Sequence, residues 1–239
     1  MFIWWGINFD YIIFMLPVYI LTLVASGMVK STFHKYSEVE TFSGMSGAEA
    51  ARKVLDANGL YDVQIEPVRG RLTDHYDPRT NVVRLSEAVY SERSVAAVGV
   101  ACHEVGHAIQ HAQGYVPLKI RNAIIPITSI GSQLSMPLIM VGIILATFSE
   151  HLIVVANIGI VMFGFCVLFQ LVTLPVEFNA SHRSIKSLEE HNILEKSELK
   201  GARKVLTAAG MTYVAALATS VAQLIYLLRI VGFANRDDN

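Results

Sequence analysis

Residues 123–177 read AIIPITSIGSQLSMPLIMVGIILATFSEHLIVVANIGIVMFGFCVLFQLVTLPVE. The stretch carries no formal charge except Glu150 near its middle and Glu177 at its end. A hydrocarbon core of ~30 Å takes about 20 mostly apolar residues in a helix. The runs from about Ala123 to Phe148 and from about Leu152 to Val176 each meet that length. Only Ser149, Glu150 and His151 separate them, so the expectation is an antiparallel pair of membrane-spanning helices. Two further runs qualify: Tyr11–Val29, behind Trp4 and Trp5, and Met211–Leu228, which stops at Arg229. Residues 1–10 contain no Lys or Arg, so the first run reads as a retained anchor and not as a signal peptide.

Working outward, the whole composition agrees with a membrane protein. Of 239 residues, 53% are apolar or aromatic and 16% are charged, against about 25% charged in an ordinary soluble domain. Mean hydropathy is +0.45. Disorder is excluded by the apolar content. Nucleic acid is not an expected partner, because 19 Lys+Arg against 20 Asp+Glu leaves a net charge of −1 and no basic excess to neutralise phosphates. The two cysteines, Cys102 and Cys166, are far apart and make no disulfide framework.

Positive charge sets the expected orientation. Residues 30–121 hold 11 Lys+Arg and residues 177–210 hold six, together 17 of the 19. Both segments are therefore expected on the cytoplasmic side of a plasma or inner membrane, with the N- and C-termini outside. The resulting division is an N-terminal anchor (1–29), a cytoplasmic domain (30–121), a two-span hairpin (122–176), a cytoplasmic helical segment (177–210), and a fourth span with a short tail (211–239).

Within 30–121, Ser46-Gly47-Ala48-Glu49 is a capping-box pattern that opens a helix to Asn58, stopped by Gly59. Alternating runs at Val63–Ile65, Leu72–Asp74 and Val82–Leu85 predict a small antiparallel sheet. Ser91 is expected to cap a long helix reaching about Gln113, before Gly114 and Pro117.

That helix contains His103-Glu104-Val105-Gly106-His107. Residues four apart on a helix share a face, about 6 Å apart along the axis. Two imidazoles so placed reach one Zn²⁺. Glu104, about a third of a turn away, reaches a zinc-activated water as a base without taking a ligand position. A catalytic zinc ordinarily takes a third protein ligand. His111 is one turn further still, about 12 Å from His103 along the axis, which is too far. Glu177 is the expected ligand. It is the only acidic residue between Glu150 and Glu189, and two spans separate it from the motif helix, so topology returns it to the same side.

Three stretches together carry a family resemblance: His103–His107 followed by Gln110, Leu72-Thr73-Asp74-His75-Tyr76-Asp77-Pro78-Arg79, and Pro175-Val176-Glu177-Phe178-Asn179-Ala180-Ser181. The chain resembles the YugP-like neutral zinc metallopeptidases of bacterial membranes. More distantly it is similar to HtpX-like and CAAX-prenyl membrane proteases, which are gluzincins. The resemblance spans nearly the whole chain. It implies an α-helical multi-pass membrane protein with a small α+β zincin-like (gluzincin) domain. It also implies one zinc per chain on His103, His107 and Glu177, with Glu104 as base. In the gluzincin pattern an Asp four residues after the ligand Glu orients a ligand His. Here that position is Ser181, so the role passes to Ser181, Asn179 or a residue of the upstream loop.

Several residues have two readings. His75 and Tyr76 could steady an oxyanion or simply build the turn around Asp77-Pro78. His182 could be an oxyanion donor or a surface cover. Cys102 reads as core filling, and the missing side chain of Gly106 as room for a neighbouring strand or substrate. The expected activity is endopeptidase cleavage of a peptide or protein substrate, including membrane proteins, at the bilayer surface. The alternative from another class is an inactive membrane scaffold or structural-metal protein. A structural site would ordinarily be closed by four ligands, often cysteines, and would have no use for Glu104. An intramembrane site-2-type protease fits poorly, because spans two to four contain no Asp.

Overall fold

The structure is a computed structural model that describes residues 2–70 and 72–234. In chain order the elements are α1 (Phe2–Ser37), α2 (Gly47–Ala57), β1 (Gln64–Val68), β2 (His75–Asp77), β3 (Val82–Ser86), α3 (Glu87–Ser91) and α4 (Val95–Ala112). Then come α5 (Val116–Ala146), a 3₁₀ turn (Glu150–Leu152), α6 (Ile153–Glu190) and α7 (Lys196–Ala234). Among the described residues four helices are long and apolar enough to cross a membrane: Tyr11–Ser37, Val116–Ala146, Glu150–Glu190 and Lys196–Gly232. Each runs on past its apolar stretch. In particular α6 passes through Pro175 and Glu177 as one continuous helix.

The chain forms two compact units. The first comprises residues 1–24, 120–174 and 213–239. Small residues let α5 and α6 approach closely. A Cβ on Gly142 of α5 would collide with the backbone of Ala156 in α6, and one on Gly159 would lie 2.7 Å from the Ser135 carbonyl oxygen. Small residues let apolar helices approach where burial from lipid gives no drive. The hairpin expected from the short Ser149–His151 turn therefore has a paired stripe of small residues along its length. Ile139, Ala156, Ile160, Leu227 and Val231 form the apolar centre of this unit.

The second unit comprises residues 25–119 and 175–212. Its core draws Val54 and Leu55 from α2, Val83 and Leu85 from β3, Val98, Cys102 and Val105 from α4, and Leu188 and Leu206 from α6 and α7. The α2 start is the capping box read from sequence: Glu49 N–H donates to Ser46 Oγ at 3.3 Å, and Ser46 N–H donates to Glu49 Oε2 at 2.7 Å. Gly59, at φ +73°, follows its end. Cys102 is fully buried, and burial pushes its thiol pKa up, as befits core filling.

Two local expectations are corrected. The sheet is mixed and not antiparallel: its order is β1-β3-β2, with β1 parallel and β2 antiparallel to β3. Leu72 takes a left-handed φ of +58° and interrupts the anticipated middle strand. Asp74 accepts from the Ser86 backbone N–H at 2.7 Å and tethers the loop to the end of β3. The strand begins one residue later, at His75, and forms the sheet edge. Alternation reports a strand's faces and not its neighbours, so this order was beyond the pattern. Arg84 ties the three strands together, reaching Glu66 at 3.4 Å and Asp77 at 3.1 Å.

The second correction concerns Ser91, which ends α3. Ser94 caps α4, accepting from Ala97 N–H at 3.2 Å. The intervening backbone is engaged elsewhere: Thr41 N–H donates to the Arg93 carbonyl at 2.8 Å, and Val95 N–H to the Val39 carbonyl at 2.9 Å. Pairing with 39–41 holds residues 92–94 extended, and a helix cannot run through them.

Candidate metal centre

Helix α4 crosses the core with Val95–Cys102 apolar and, apart from the half-buried Val100, fully buried, and its next turns carry the polar motif. His103 and His107 stand one turn apart with ring centroids 4.9 Å from each other and planes at 83°. Helix α6 delivers the third group. Glu177 is buried, and its Oε2 lies 3.3 Å from His103 Nε2 and 3.5 Å from His107 Nε2. One ligand atom from each of the three lies within 4.8 Å of the others.

Gly106 sets the approach of the two helices. A Cβ there would sit 2.6 Å from the Ala180 carbonyl oxygen and 3.2 Å from Ala180 Cα. The neighbour that uses the missing side chain is thus the backbone of α6, three residues beyond Glu177. Gly106→Ala should add about 1 kcal/mol of helix propensity and lose more by forcing backbones apart, typically 1–3 kcal/mol. The expected result is a fall in Tm of the full chain in detergent. A rise in Tm would mean the helices part without cost.

Hydrogen bonds orient both rings. Gln110 is fully buried. Its Nε2 donates to the Val176 carbonyl at 2.8 Å and to Asn179 Oδ1 at 2.9 Å. A backbone carbonyl only accepts, so the amide orientation is determined and Oε1 faces His107 Nδ1, at 3.0 Å. His107 Nδ1–H therefore donates to Gln110, and Nε2 is the nitrogen that faces Glu177. Ser181 Oγ lies 3.1 Å from His103 Nδ1 and can accept its proton in the same way. Arg183 completes the chain of contacts by donating to Asn179 Oδ1 at 2.7 Å.

Two imidazole Nε2 atoms and a Glu177 carboxylate oxygen thus converge in a largely buried place. Such a donor set needs a cation or a proton between its members. Its composition, His₂Glu, is a set that catalytic zinc takes. The same convergence acts on the pKa of His107. Burial lowers it, but the Glu177 hydrogen bond and the Glu104 and Glu177 charges outweigh burial and hold it above the ordinary imidazole value.

Glu104 lies beside this cluster, buried, and accepts at Oε2 from the Tyr76 backbone N–H at 3.0 Å. The edge strand β2 thus positions a carboxylate on α4. The Tyr76 hydroxyl is engaged elsewhere, 2.8 Å from both Asn81 Oδ1 and His111 Nδ1. His75 is exposed, its ring bonded to the Thr73 carbonyl at 2.7 Å. His182 is exposed on α6 and lines a cavity of about 380 Å³ together with Phe178, Ser181 and Ile185.

Of the residues anticipated from sequence, His103, His107, Glu177 and Ser181 come together, with Asn179 joined through Gln110. Among the described residues, His75, His182 and the Tyr76 hydroxyl make no hydrogen bond or ion pair with the cluster. Sequence reasoning gave no role to Gln110 or to the Tyr76 backbone N–H. Gln110 had a signal, a polar residue three positions after His107 on the same helix face.

A family model described as "Putative neutral zinc metallopeptidase" matches residues 11–232. Over 227 residues the chain is 47% identical to the Bacillus subtilis protein named "Putative membrane protease YugP", an overlap of 92% of this chain and 98% of that one. No solved structure matches the chain. Because the match extends across the apolar helices and the His-His-Glu cluster alike, the chain belongs to the neutral zinc metallopeptidase family.

Proposed function

We propose that this protein is a membrane-anchored zinc endopeptidase of gluzincin type that hydrolyses peptide bonds at the cytoplasmic membrane face. The observation that carries the reading is the convergence of His103 Nε2, His107 Nε2 and a Glu177 oxygen within 4.8 Å of one another, with the buried carboxylate of Glu104 alongside. His103, His107 and Glu177 would hold one zinc per chain, and zinc supplies a Lewis acid that polarises a carbonyl and acidifies water. Glu104 takes the proton of the attacking water at its carboxylate and returns it to the leaving amine nitrogen. The Tyr76 N–H keeps that carboxylate turned toward the reacting atoms. Gln110 and Ser181 hold the two imidazoles with their Nε2 atoms forward. The cytoplasmic assignment rests on the 17 Lys and Arg in 30–121 and 177–210.

The direct test is hydrolysis of an unfolded protein by the full chain purified in mild detergent. Cleavage that stops with a chelator and returns with stoichiometric zinc supports the reading. Bound zinc with no hydrolysis of any unfolded or membrane-protein substrate would favour the scaffold alternative.

Positioning by Gln110 gives a sharper expectation. Gln110→Ala leaves His107 Nδ1 without its acceptor and removes the Gln110 donor from the Val176 carbonyl and from Asn179 Oδ1, which keeps only Arg183. Loss of such an outer partner typically costs 10–100-fold in metal affinity. Zinc titration against a competing chelator should show that loss, and Gln110→Glu, which keeps an acceptor for Nδ1, should recover part of it.

A further inference from the structure

A second site lies in the same unit and owes nothing to the metal cluster. Between α1 and α7 is a groove of about 640 Å³. Lys35 enters it from α1, and Lys200, Arg203 and Lys204 enter it from α7. All four are exposed. Among the described residues none has a carboxylate within ion-pair distance. Four unpaired cations in one concavity repel each other, and only a shared counter-charge makes the arrangement favourable. The hydroxyls of Ser31, which donates to the Met28 carbonyl at 3.2 Å, and Thr207 make part of the wall polar, whereas Met28 and Ala208 leave part of it apolar.

The position of the groove along the chain selects the anion. The charge-free run of α1 ends at Val29, and that of α7 begins at Val205. The lining residues, 28–36 and 200–208, fall in the turns at the ends of both runs. On a membrane-spanning helix those turns lie at headgroup depth, where Lys and Arg meet lipid phosphates. The volume lies within the range of small-molecule pockets, about 300–1,000 Å³.

We propose that this groove binds the phosphodiester headgroup of an anionic bilayer phospholipid of the phosphatidylglycerol class, held by Lys35, Lys200, Arg203 and Lys204. The headgroup supplies the missing negative charge, its polar end meets Ser31 and Thr207, and its glyceryl portion lies along Met28 and Ala208. The site would tie the second unit to acidic regions of the membrane.

Native mass spectrometry of the full chain in nonionic detergent tests this. The chain is titrated with dioleoyl phosphatidylglycerol, with dioleoyl phosphatidylcholine, or with glycerol phosphate. The expected result is at least tenfold tighter retention of phosphatidylglycerol than of phosphatidylcholine. At about fivefold per cation, the triple variant Lys200→Gln, Arg203→Gln, Lys204→Gln should weaken phosphatidylglycerol on the order of a hundredfold. A triple variant with the same charge change elsewhere (Lys53→Gln, Arg79→Gln, Lys186→Gln) should bind as wild type, and Lys200→Arg with Lys204→Arg should retain the lipid. Equal retention of the two lipids, or equal loss in both triple variants, would overturn the site. Displacement of phosphatidylglycerol by millimolar glycerol phosphate would overturn the lipid assignment and make the occupant a soluble phosphate.

Discussion

Glu104→Gln is expected to abolish hydrolysis while leaving the metal in place. Glutamine is nearly isosteric, and its side-chain oxygen can still accept from the Tyr76 N–H that Glu104 Oε2 takes at 3.0 Å. Geometry and packing at the edge of β2 should therefore survive. The amide cannot take a proton at neutral pH, so the attacking water keeps its proton and the leaving nitrogen receives none. General acid–base groups contribute about 10²–10⁴-fold, and Glu104 serves both halves of the reaction, so the loss should fall at the upper end of that range. Glu104 is not among the three converging ligand residues, so zinc content should stay at its wild-type level. The pair of readouts separates the roles: rate falls, metal stays. If the variant hydrolyses at the wild-type rate, another group is the base. If it loses zinc as well, Glu104 belongs to the ligand set.

The parts of this structure that can be read from sequence are those set by short-range rules. Ser46 and Glu49 satisfy each other's backbone donors within one turn, so the α2 start is written in four residues. His103 and His107 share a face because a helix repeats every 3.6 residues. Glu177 is a long-range feature and was legible for a different reason. Two apolar runs of similar length must return the chain to the side it left, and a lone carboxylate at that return point has few other uses. What was not legible depends on pairings between distant segments. Nothing in Leu72–Asp77 tells β2 to pass β1 and join the far edge of β3. Ser91 loses its capping role to Ser94 only because residues 39–41 claim the backbone between them. The Tyr76 N–H that holds Glu104 is a backbone atom and leaves no trace in residue type. Gln110 is intermediate: its place on the helix face was visible, but its bonds to Val176 and Asn179 required the position of α6.

Glu177→Ala is expected to remove the zinc. His103 and His107 come from one helix, so without Glu177 nothing from α6 closes the site, and a bidentate His pair remains. Structural zinc sites bind with about 10–16 kcal/mol. One ligand of three represents a share on the order of 3–5 kcal/mol, or about 10²–10⁴-fold in affinity. Zinc content after purification at micromolar free metal should fall from about one per chain toward zero, and hydrolysis with it. Stability separates this loss from misfolding. A ligand that binds only the folded chain adds RT ln(1 + [L]/Kd), about 2.7 kcal/mol at a hundredfold excess over Kd. Wild type should therefore show a Tm that rises with zinc, and Glu177→Ala a Tm that zinc leaves unchanged. The metal-free variant need not be less stable than metal-free wild type, because the substitution also removes a buried carboxylate whose desolvation is costly. A variant that keeps its zinc and its zinc-dependent Tm would show that the third ligand lies elsewhere. A variant unfolded with or without zinc would assign Glu177 to the packing of α6 on α4, and Glu177→Gln, which preserves the volume, would then decide between lost ligation and lost packing.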